Sequence, residues 1–365
     1  LITAKSSLFA GCMKLRVLDF GMVPALRSQA VYHGLAETIG PDSDPILSLV
    51  SPQTPYVCVG MHQEVAKEVD EEFCKANTLP IYRRHVGGGA VYLDENQLFT
   101  HFIYPRDKAP EFAVNLYPLF IEPVVRTYKE MGINANYRPV NDIHVDGRKI
   151  GGTGAASIGE ATVMVGSFML DFDTETMSKC LKVPSEKFRD KLRQTLDDYM
   201  TTMVKQLGQM PDRADIKARF LKHCADVLKV EPVYDQPTED ELAAIARAEA
   251  ELADPDWTYM KARRSVAHGV KISEHTHISE GGHKAPGGMI RTRLVSHDGK
   301  VQELDISGDF TCLPPEGIDM VAASLSGCDL DEAALGAVAD AALAGNGIEM
   351  PGVTGADIAK AVMAA

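Results

Sequence analysis

Three consecutive glycines, Gly87 to Gly89, are the feature that most restricts how this chain can fold. Glycine loses more conformational freedom on folding than any other residue, so three together indicate a backbone that another group approaches closely. Arg83 and Arg84 precede them and carry fork-shaped donors that suit carboxylate or phosphate. Because the N–H groups of such loops can turn toward an anion, the stretch predicts a cradle for a phosphorylated or carboxylated small molecule. A glycine bulge in a hairpin with two surface arginines is the structural alternative.

A second glycine-rich segment predicts a β-hairpin that carries positive charge. An Asp146-Gly147 turn separates two stretches of alternating apolar and polar residues, which is a strong hairpin signal. Arg148 and Lys149 follow the turn on the outgoing strand, and a glycine pair comes shortly after them. A ligand can approach the backbone at such glycines, and a lysine beside them can meet a phosphate as a compact point charge. Taken alone, the turn is also typical of a solvated surface loop.

Together the two segments resemble the lipoate–protein ligase family, within the biotin/lipoate ligase and octanoyltransferase superfamily. The family's Arg-Arg-x-x-Gly-Gly-Gly motif is similar to residues 83–94. Its Asn-Asp-Ile strand and Gly-Arg-Lys-Ile turn are similar to residues 141–154, although the tail here is Gly-Gly-Thr-Gly. A Gly-x-Asn-Gln turn is similar to residues 60–63, and a His-Gly-Thr-Leu-Leu strand is similar to residues 165–170. The resemblance runs from about residue 15 to 260 and returns in the tail.

Length and the resemblance together predict an α+β protein of two domains. With 45% hydrophobic and 24% charged residues, the chain has the composition of an ordinary globular protein. Its 365 residues are more than one domain of average size contains. The resemblance implies a large mixed-sheet catalytic domain of the biotin/lipoate ligase type over residues 15–261. It also implies a small α/β C-terminal accessory domain over residues 262–365. We expect residues 1–14 to be upstream or disordered sequence, with Met13 as a natural start.

Apolar periodicity predicts where the helices lie. The expected ranges are, in chain order, 63–77, 112–131, 185–207, 213–228 and 239–252. Gly208 ends the third range, and Thr238 is the expected N-cap of the fifth. We interpret the methionines and aromatic residues of the helical stripes as core. In the tail, alternation on both sides of the turn at 297–299 predicts a hairpin.

Composition excludes several classes of protein. A net charge of −14 argues against nucleic acid as the main partner. No apolar run reaches the roughly 18 residues of a membrane span, so we expect no membrane association. The seven cysteines are scattered without a Cys-x-x-Cys spacing, which suits reduced thiols and a cytoplasmic location.

The resemblance implies a two-step reaction on lipoate and ATP. Lipoate and ATP form lipoyl-adenylate and pyrophosphate, and a lysine of an acceptor protein then attacks the mixed anhydride. Because adenylation creates a good leaving group, catalysis can depend on positioning and charge stabilisation without a protein nucleophile. Lys149 is the implied catalytic residue, and Asp142 is the candidate ligand for Mg²⁺. The residues implied in substrate and adenylate binding are Arg83, Arg84, Gly87, Gly88, Gly89, Ala90, Val91, Tyr92, Gln63, Asp94, Asn141, Asp142, Gly152, Thr153 and Gly166.

Two departures from the family pattern concern the acyl pocket. Leu93 and Val165 each stand where the family has histidine. We therefore expect apolar contact to hold the dithiolane end of lipoate or another fatty acyl chain. The lysine motif also echoes biotin ligases, but their Gly-Arg-Gly-Arg adenylate loop is absent, which disfavours biotin.

A histidine-rich segment of the tail suggests zinc. It contains His268, His275, His277 and His283, and His-x-His on a strand directs both rings to one face. No cysteine or carboxylate completes a convincing ligand spacing. We interpret the segment as a mobile glycine-rich loop.

Two other functions remain open at the level of sequence. A cysteine-dependent octanoyl- or lipoyltransferase shares the fold but needs a thiol near the lysine. No cysteine lies between Cys74 and Cys180, and Cys58 reads as a small buried hydrophobe, which favours the ligase. A non-catalytic binder of lipoyl domains would not need the lysine and glycine motifs.

The implied partner is a lipoyl-carrier protein or domain. It could be a 2-oxoacid dehydrogenase E2 domain, the glycine-cleavage H protein or a specialised lipoate-binding protein. A local basic patch of Arg263, Arg264, Lys271 and Lys284 could steer it, although a solvated loop is the better explanation of these residues.

Overall fold

The computed structural model describes residues 13–260 and 276–365. The strands are β1 Met13–Val23, β2 Ile46–Pro52, β3 Tyr56–Val59, β4 Ile81–Arg83, β5 Val91–Leu93, β6 Gln97–Pro105, β7 Asn136–Arg138, β8 Asp142–Val145, β9 Arg148–Ile158, β10 Ala161–Met169, β11 Val230–Tyr234, β12 Thr276–Ala285, β13 Gly288–His297 and β14 Lys300–Gly308. The helices are α1 Ala25–Glu37, α2 Val65–Glu68, α3 Glu71–Ala76, α4 Ala113–Glu130, α5 Thr174–Cys180, α6 Glu186–Tyr199, α7 Met203–Leu207, α8 Arg213–Leu228, α9 Glu239–Leu252, α10 Pro255–Thr258, α11 Gly317–Ser324, α12 Glu332–Gly345 and α13 Gly355–Met363.

An eight-stranded mixed sheet forms the centre of the molecule, in the order β11-β1-β2-β6-β10-β9-β8-β7. β1 runs parallel to β11 and β2, and the remaining neighbours are antiparallel. Apolar side chains cover both faces. α4 and α8 contribute Phe120 and Phe220 to one core, and α1 and α9 contribute Leu35 and Ile245 to the other. Burial on both faces makes this sheet a rigid support for the strands that carry Lys149.

Two smaller sheets complete the structure. β3 pairs in parallel with β4 and antiparallel with β5, and the loop between β4 and β5 holds the glycine triplet. Near the C-terminus β12, β13 and β14 form an antiparallel sheet with its own apolar core, to which α11, α12 and α13 contribute. The large mixed sheet and the small C-terminal α/β unit confirm the expected fold class. The boundary expected at residues 261 and 262 lies outside the described residues.

Local signals predicted several elements correctly. α4, α8 and α9 fall on the expected ranges, although α4 contains two prolines. Thr238 caps α9 in a capping box with Glu241, and Gly208 ends α7 in the left-handed conformation. The turn Asp146-Gly147 has positive φ at both positions, as a two-residue hairpin turn requires. β13 and β14 confirm the hairpin expected in the tail.

The expected single helix over 63–77 is wrong. Helical structure stops after Glu68, where Val69 bridges to Leu181 of a neighbouring segment. Asp70 then starts α3 by accepting the N–H of Phe73. A pairing with a distant part of the chain therefore divides a stretch that apolar periodicity alone presents as continuous.

The expected single helix over 185–207 is also wrong. It breaks at Met200, whose backbone is extended and pairs with the strand at Lys149. The Thr201 N–H donates to the Lys149 carbonyl at 2.9 Å, and Thr202 caps α7. The stripe is not uniformly core either, because Phe188 and Tyr199 are exposed while Met203 is buried.

The expected mobile loop around the tail histidines is partly wrong. Residues 276–285 form β12, which pairs along its length with β13. His283 lies on that strand, and its Nε2 is 3.0 Å from the Asp357 carboxylate. His268 and His275 lie outside the described residues. Within 13–260 and 276–365, no helix is long and apolar enough to cross a bilayer.

Candidate functional site

The two arginines that precede the glycine triplet hold the backbone around it. Arg83 is fully buried, and its guanidinium donates to the carbonyls of Gly60, Met61 and Thr258 at 2.7–3.0 Å. Burial lowers the pKa of Arg83 to about 10, which still leaves it charged at neutral pH. Arg84 donates to the carbonyls of Gly87 and Gly89 at 2.8 Å and to that of Cys58 at 3.1 Å. Both forks thus bind carbonyl oxygens of the protein in this conformation.

The glycines are tightly enclosed. Gly88 has φ +90°, a conformation that L side chains rarely adopt, and an added Cβ would lie 3.1 Å from Arg84 Nη2. At Gly87 a Cβ would lie 2.5 Å from the carbonyl oxygen of Phe310, which belongs to the C-terminal unit. The Gly88 N–H points the same way and donates to that oxygen at 3.3 Å. The Gly88 amide, which we expected to face a ligand, therefore donates to a carbonyl oxygen of the protein.

The neighbouring pocket candidates make local contacts. Gln63 is buried, and its Oε1 accepts the N–H of Gly60. Asp94 is 4% exposed and accepts the Asn96 N–H at 2.9 Å; burial raises the pKa of its carboxyl to about 6. Ala90 leads into β5, where Val91 and Tyr92 pair with β3. The Tyr92 N–H lies 3.2 Å from the sulfur of Met177.

Lys149 and Asp142 form an ion pair across the β8–β9 hairpin, with 2.8 Å between Nζ and Oδ1. The Lys149 side chain is 28% exposed, so it is half-buried at the surface of the hairpin. Gly152 leaves it room, because a Cβ there would lie 3.1 Å from Nζ. A half-buried lysine whose ammonium is oriented by a carboxylate is able to stabilise negative charge that develops on a bound group.

Small residues on the same strands bring the remaining candidates together. The Asn141 side-chain amide donates to the Thr153 carbonyl at 2.6 Å, and the Thr153 hydroxyl donates to the Asn141 carbonyl at 2.9 Å. A Cβ at Gly166 would lie 3.2 Å from Thr153 Cγ2. The Val86 side chain contacts Gly154 of β9 so closely that an added Cβ would lie 2.4 Å away. This contact joins the glycine loop to the strand of Lys149.

Two residues beside Lys149, Tyr199 and His144, were not predicted from the sequence. The Tyr199 hydroxyl lies 3.4 Å from Asp142 Oδ2 and 3.4 Å from His144 Nε2. Apolar periodicity assigned Tyr199 to a core stripe, but the helix ends there and directs the hydroxyl toward the hairpin. The only local signal is the pair of β-branched threonines at 201 and 202, which disfavours continued helix.

The C-terminal unit lies against the glycine loop. The Phe310 ring stacks on His62 with centroids 5.0 Å apart, and the Gly308 N–H donates to the His62 carbonyl. Arg293 is 8% exposed and binds Glu64 at 3.1 Å, while Ser307 donates to the same carboxylate. Of the expected basic patch, Lys284 lies 3.7 Å from the Asp309 carboxylate, and the other three residues are outside the described ranges.

A stack of rings lies behind the loop. His85, between the arginines and the glycines, packs between His33 and Trp257, with centroid distances of 3.8 and 4.3 Å. The Trp257 indole donates to the Arg83 carbonyl at 3.0 Å. Burial, followed by the neighbouring His33, lowers the pKa of His85 to about 3. The imidazole is therefore neutral at physiological pH.

The proteins whose sequences are similar to this chain include both ligases and transferases. The chain is 26% identical over 258 residues to the lipoate-protein ligase LplJ of Bacillus subtilis, covering 70% of this chain and 73% of that protein. It is 24% identical to the octanoyltransferase LipM of Kyrpidia tusciae, covering 60% of this chain and 88% of that protein.

Solved structures show the same fold. A bi-partite lipoate protein ligase of Thermoplasma acidophilum, described with its E2 lipoyl domain, superposes with a TM-score of 0.62 at 22% identity, covering 70% of this chain and 98% of that one. LipL1 of P. falciparum in complex with lipoate has a TM-score of 0.64 at 15% identity, covering 89% and 93%.

Family models cover both parts of the chain. Residues 24–225, over half of the chain, match the lipoyl protein ligase A/B catalytic domain, and residues 279–359 match the bacterial lipoate protein ligase C-terminus. The second match includes Phe310, whose carbonyl accepts the Gly88 N–H of the glycine loop. The chain therefore belongs to the lipoate–protein ligase family, with the C-terminal domain of the bacterial ligases on the same chain.

Proposed function

We propose that this protein activates lipoate with ATP to lipoyl-adenylate and transfers the lipoyl group to a lysine of a lipoyl-carrier protein. The observation that carries the proposal is Lys149, a half-buried lysine held by Asp142 on a strand whose glycines leave space beside it. In the first step the lipoate carboxylate attacks the α-phosphorus of ATP and pyrophosphate leaves. In the second, the acceptor amine attacks the acyl carbon and AMP leaves. Negative charge develops near one position in both steps, and Lys149 would stabilise it.

The glycine loop would hold the acyl-adenylate. Its Gly88 amide donates to the Phe310 carbonyl, and a carboxylate or phosphate oxygen can accept the same hydrogen bond. Arg84 would keep the loop in shape by binding the Gly87 and Gly89 carbonyls. Asn141, Thr153 and the remaining loop residues would line the nucleotide and acyl sides, as the family resemblance implies.

Mg²⁺ fits one carboxylate of this site. Magnesium in nucleotide sites usually takes one or two carboxylates and completes its shell with phosphate oxygens and water. Asp142 Oδ1 binds Lys149, and Oδ2 faces Tyr199 and His144 at the candidate site. We propose that Asp142 would hold the ion, which would screen the phosphate charges of ATP.

A cysteine-dependent transferase is the second candidate, because relatives named octanoyltransferase also match the chain. Such an enzyme needs a reactive thiolate in the pocket. Cys58 is fully buried, and burial raises the pKa of its thiol, although Arg84 partly opposes that shift. Cys74 and Cys180 are buried together in a different apolar cluster. These environments support the ATP-dependent ligase.

The acceptor would be a lysine of an E2 lipoyl domain, an H protein or a specialised lipoate-binding protein. We propose a cytoplasmic location, which the free thiols of the described cysteines support. Incubation of each carrier with the enzyme, lipoate and ATP, followed by intact-mass measurement, would identify the one that is modified.

The test of the function is the Lys149→Ala variant. Removing one preorganised charge should lower ATP- and lipoate-dependent pyrophosphate release by about 10²–10³-fold. Lys222→Ala is the control, because that lysine is exposed on α8 and pairs with Glu130. Normal pyrophosphate release by a folded Lys149→Ala protein would contradict the assignment. A thioester-linked acyl-enzyme formed without ATP would favour the transferase.

A further inference from the structure

Two histidines and a glutamate from distant parts of the chain converge behind the glycine loop. His33 lies on α1, His85 follows β4, and Glu251 lies in the last turn of α9. One possible ligand atom from each residue lies within 4.8 Å of the other two. The cluster takes no part in the reaction proposed above, and its three residues come from three different elements.

Both imidazoles direct Nε2 toward the Glu251 carboxylate. The distances are 3.9 Å from His33 Nε2 to Oε2 and 4.0 Å from His85 Nε2 to Oε1. Glu37 adds a second carboxylate, 3.2 Å from His33 Nε2. Ligands on a tetrahedral zinc ion with bonds of about 2.0–2.2 Å are separated by roughly 3.4 Å. The His33–Glu37 distance is already close to that value.

The His85 nitrogen that faces this cluster has no hydrogen-bond partner. Its Nε2 is buried, and the described residues offer it none. A separation of 4.0 Å from Glu251 is too long for a hydrogen bond. Buried polar atoms are usually satisfied, so this orphan nitrogen is the observation that points to a ligand. His33 Nδ1 has no partner among the described residues either, and its Nε2 lies 3.2 Å from Glu37, so an ion on Nε2 would replace the proton at that contact.

We propose that His33, His85 and Glu251, with Glu37 as fourth ligand, bind a divalent transition-metal ion of the zinc type. Two imidazoles and two carboxylates suit zinc better than magnesium or calcium, which prefer sites made of oxygen alone. Two carboxylates also balance the charge of a divalent ion.

Modest movement would complete the geometry. Glu251 is 48% exposed and can shift toward the nitrogens, whereas Trp257 holds His85 in place. The two imidazole planes are only 20° from parallel, so their nitrogen lone pairs do not converge on one point. The His33 ring would therefore have to tilt for both nitrogens to bind the same ion.

The ion would act as a brace. It would join α1, the end of α9 and the segment immediately before the glycine triplet, since only Val86 separates His85 from Gly87. Because ligand binding to the folded state alone raises stability, zinc should raise Tm. This inference does not depend on the proposed reaction, and its readouts need neither lipoate nor ATP.

The experiment uses the full chain after treatment with a chelator. Zn²⁺ is titrated calorimetrically, and Co²⁺ is added separately to read the coordination from its visible absorption. We expect one tight Zn²⁺ per chain. His85→Phe keeps a ring between His33 and Trp257 but removes the ligand, and Glu251→Gln keeps the side-chain size. Each should weaken Zn²⁺ binding by at least roughly tenfold and change the Co²⁺ spectrum.

The control is a variant with both His268 and His275 changed to alanine, which should bind Zn²⁺ as tightly as the unaltered chain. Circular dichroism checks that each variant is folded, and Glu251→Gln provides the answer if His85→Phe does not fold. Unchanged Zn²⁺ affinity in folded Glu251→Gln would overturn the proposal. So would loss of the tight site in the control variant, because the tail histidines would then be the ligands.

Discussion

Asp94 is a carboxyl group that the fold keeps away from water at the edge of the glycine-loop sheet. Desolvation raises its pKa to about 6, from an ordinary value of 3.8, and only the Asn96 N–H and amide oppose that shift. A raised pKa means that the folded state binds the proton more tightly than the unfolded state between these two values. The contribution of this carboxyl to the free energy of unfolding therefore falls as pH rises, and it is lowest above about pH 6, where the group is ionised in the folded state.

We expect Asp94→Asn to remove this pH dependence. The wild-type free energy of unfolding should fall relative to that of the variant as pH rises from about 4 to 6, by up to about 2–3 kcal/mol. Urea unfolding at several pH values measures the difference. Asp107→Asn, on an exposed turn, is the control and should track the wild type. Parallel pH profiles for wild type and Asp94→Asn would contradict the raised pKa.

At the scale of elements, the loop between β4 and β5 combines a positive-φ glycine with close packing. Arg84 closes the loop from one side by binding two of its carbonyls, and Phe310 approaches it from the C-terminal unit. A side chain at Gly88 would meet both an unfavourable φ and the Arg84 guanidinium.

Gly88→Val should therefore abolish tight lipoate binding, measured by calorimetry, while stability falls modestly. Gly132→Val is a matched control, because Gly132 also has φ +90°, but an added Cβ there has no atom of the described residues within 4 Å. Both variants carry the backbone penalty, on the order of 1–2 kcal/mol. Only Gly88→Val should lose lipoate binding. Equal lipoate affinity in Gly88→Val and Gly132→Val would show that the loop is a structural bulge.

At the scale of the whole molecule, buried ion pairs hold the C-terminal unit against the segment that follows β3. Arg293 is nearly buried and contacts Glu64, Glu280 and Asp305 at 3.1–3.6 Å. A buried charge that loses a partner destabilises far more than an exposed one, because desolvation is no longer compensated.

We expect Glu64→Gln to lower the free energy of unfolding by about 1–3 kcal/mol, with two carboxylates still near Arg293. Glu122→Gln breaks an exposed pair with Arg126 on α4 and should change stability by less than about 0.5–1 kcal/mol. Urea denaturation compares them. Similar losses in both variants would show that the contact with the C-terminal unit contributes no more than a surface pair.

The sequence by itself determined the features whose signal is local. The capping box at Thr238, the left-handed Gly208, the Asp146-Gly147 turn and the span of α8 follow from backbone preferences and from contacts three or four residues apart. The motifs likewise located the glycine loop and the lysine strand, because each is a short contiguous run. Such signals do not depend on the rest of the fold.

Tertiary structure decided the contacts between distant segments. Pairing with the Lys149 strand ended α6 and brought Tyr199 to Asp142, although apolar periodicity continued past that point. The acceptors of Arg83, and the meeting of His33 with His85 and Glu251, also follow from which strands and helices become neighbours. Sheet order and layer packing set these distances, and no short stretch of sequence contains them.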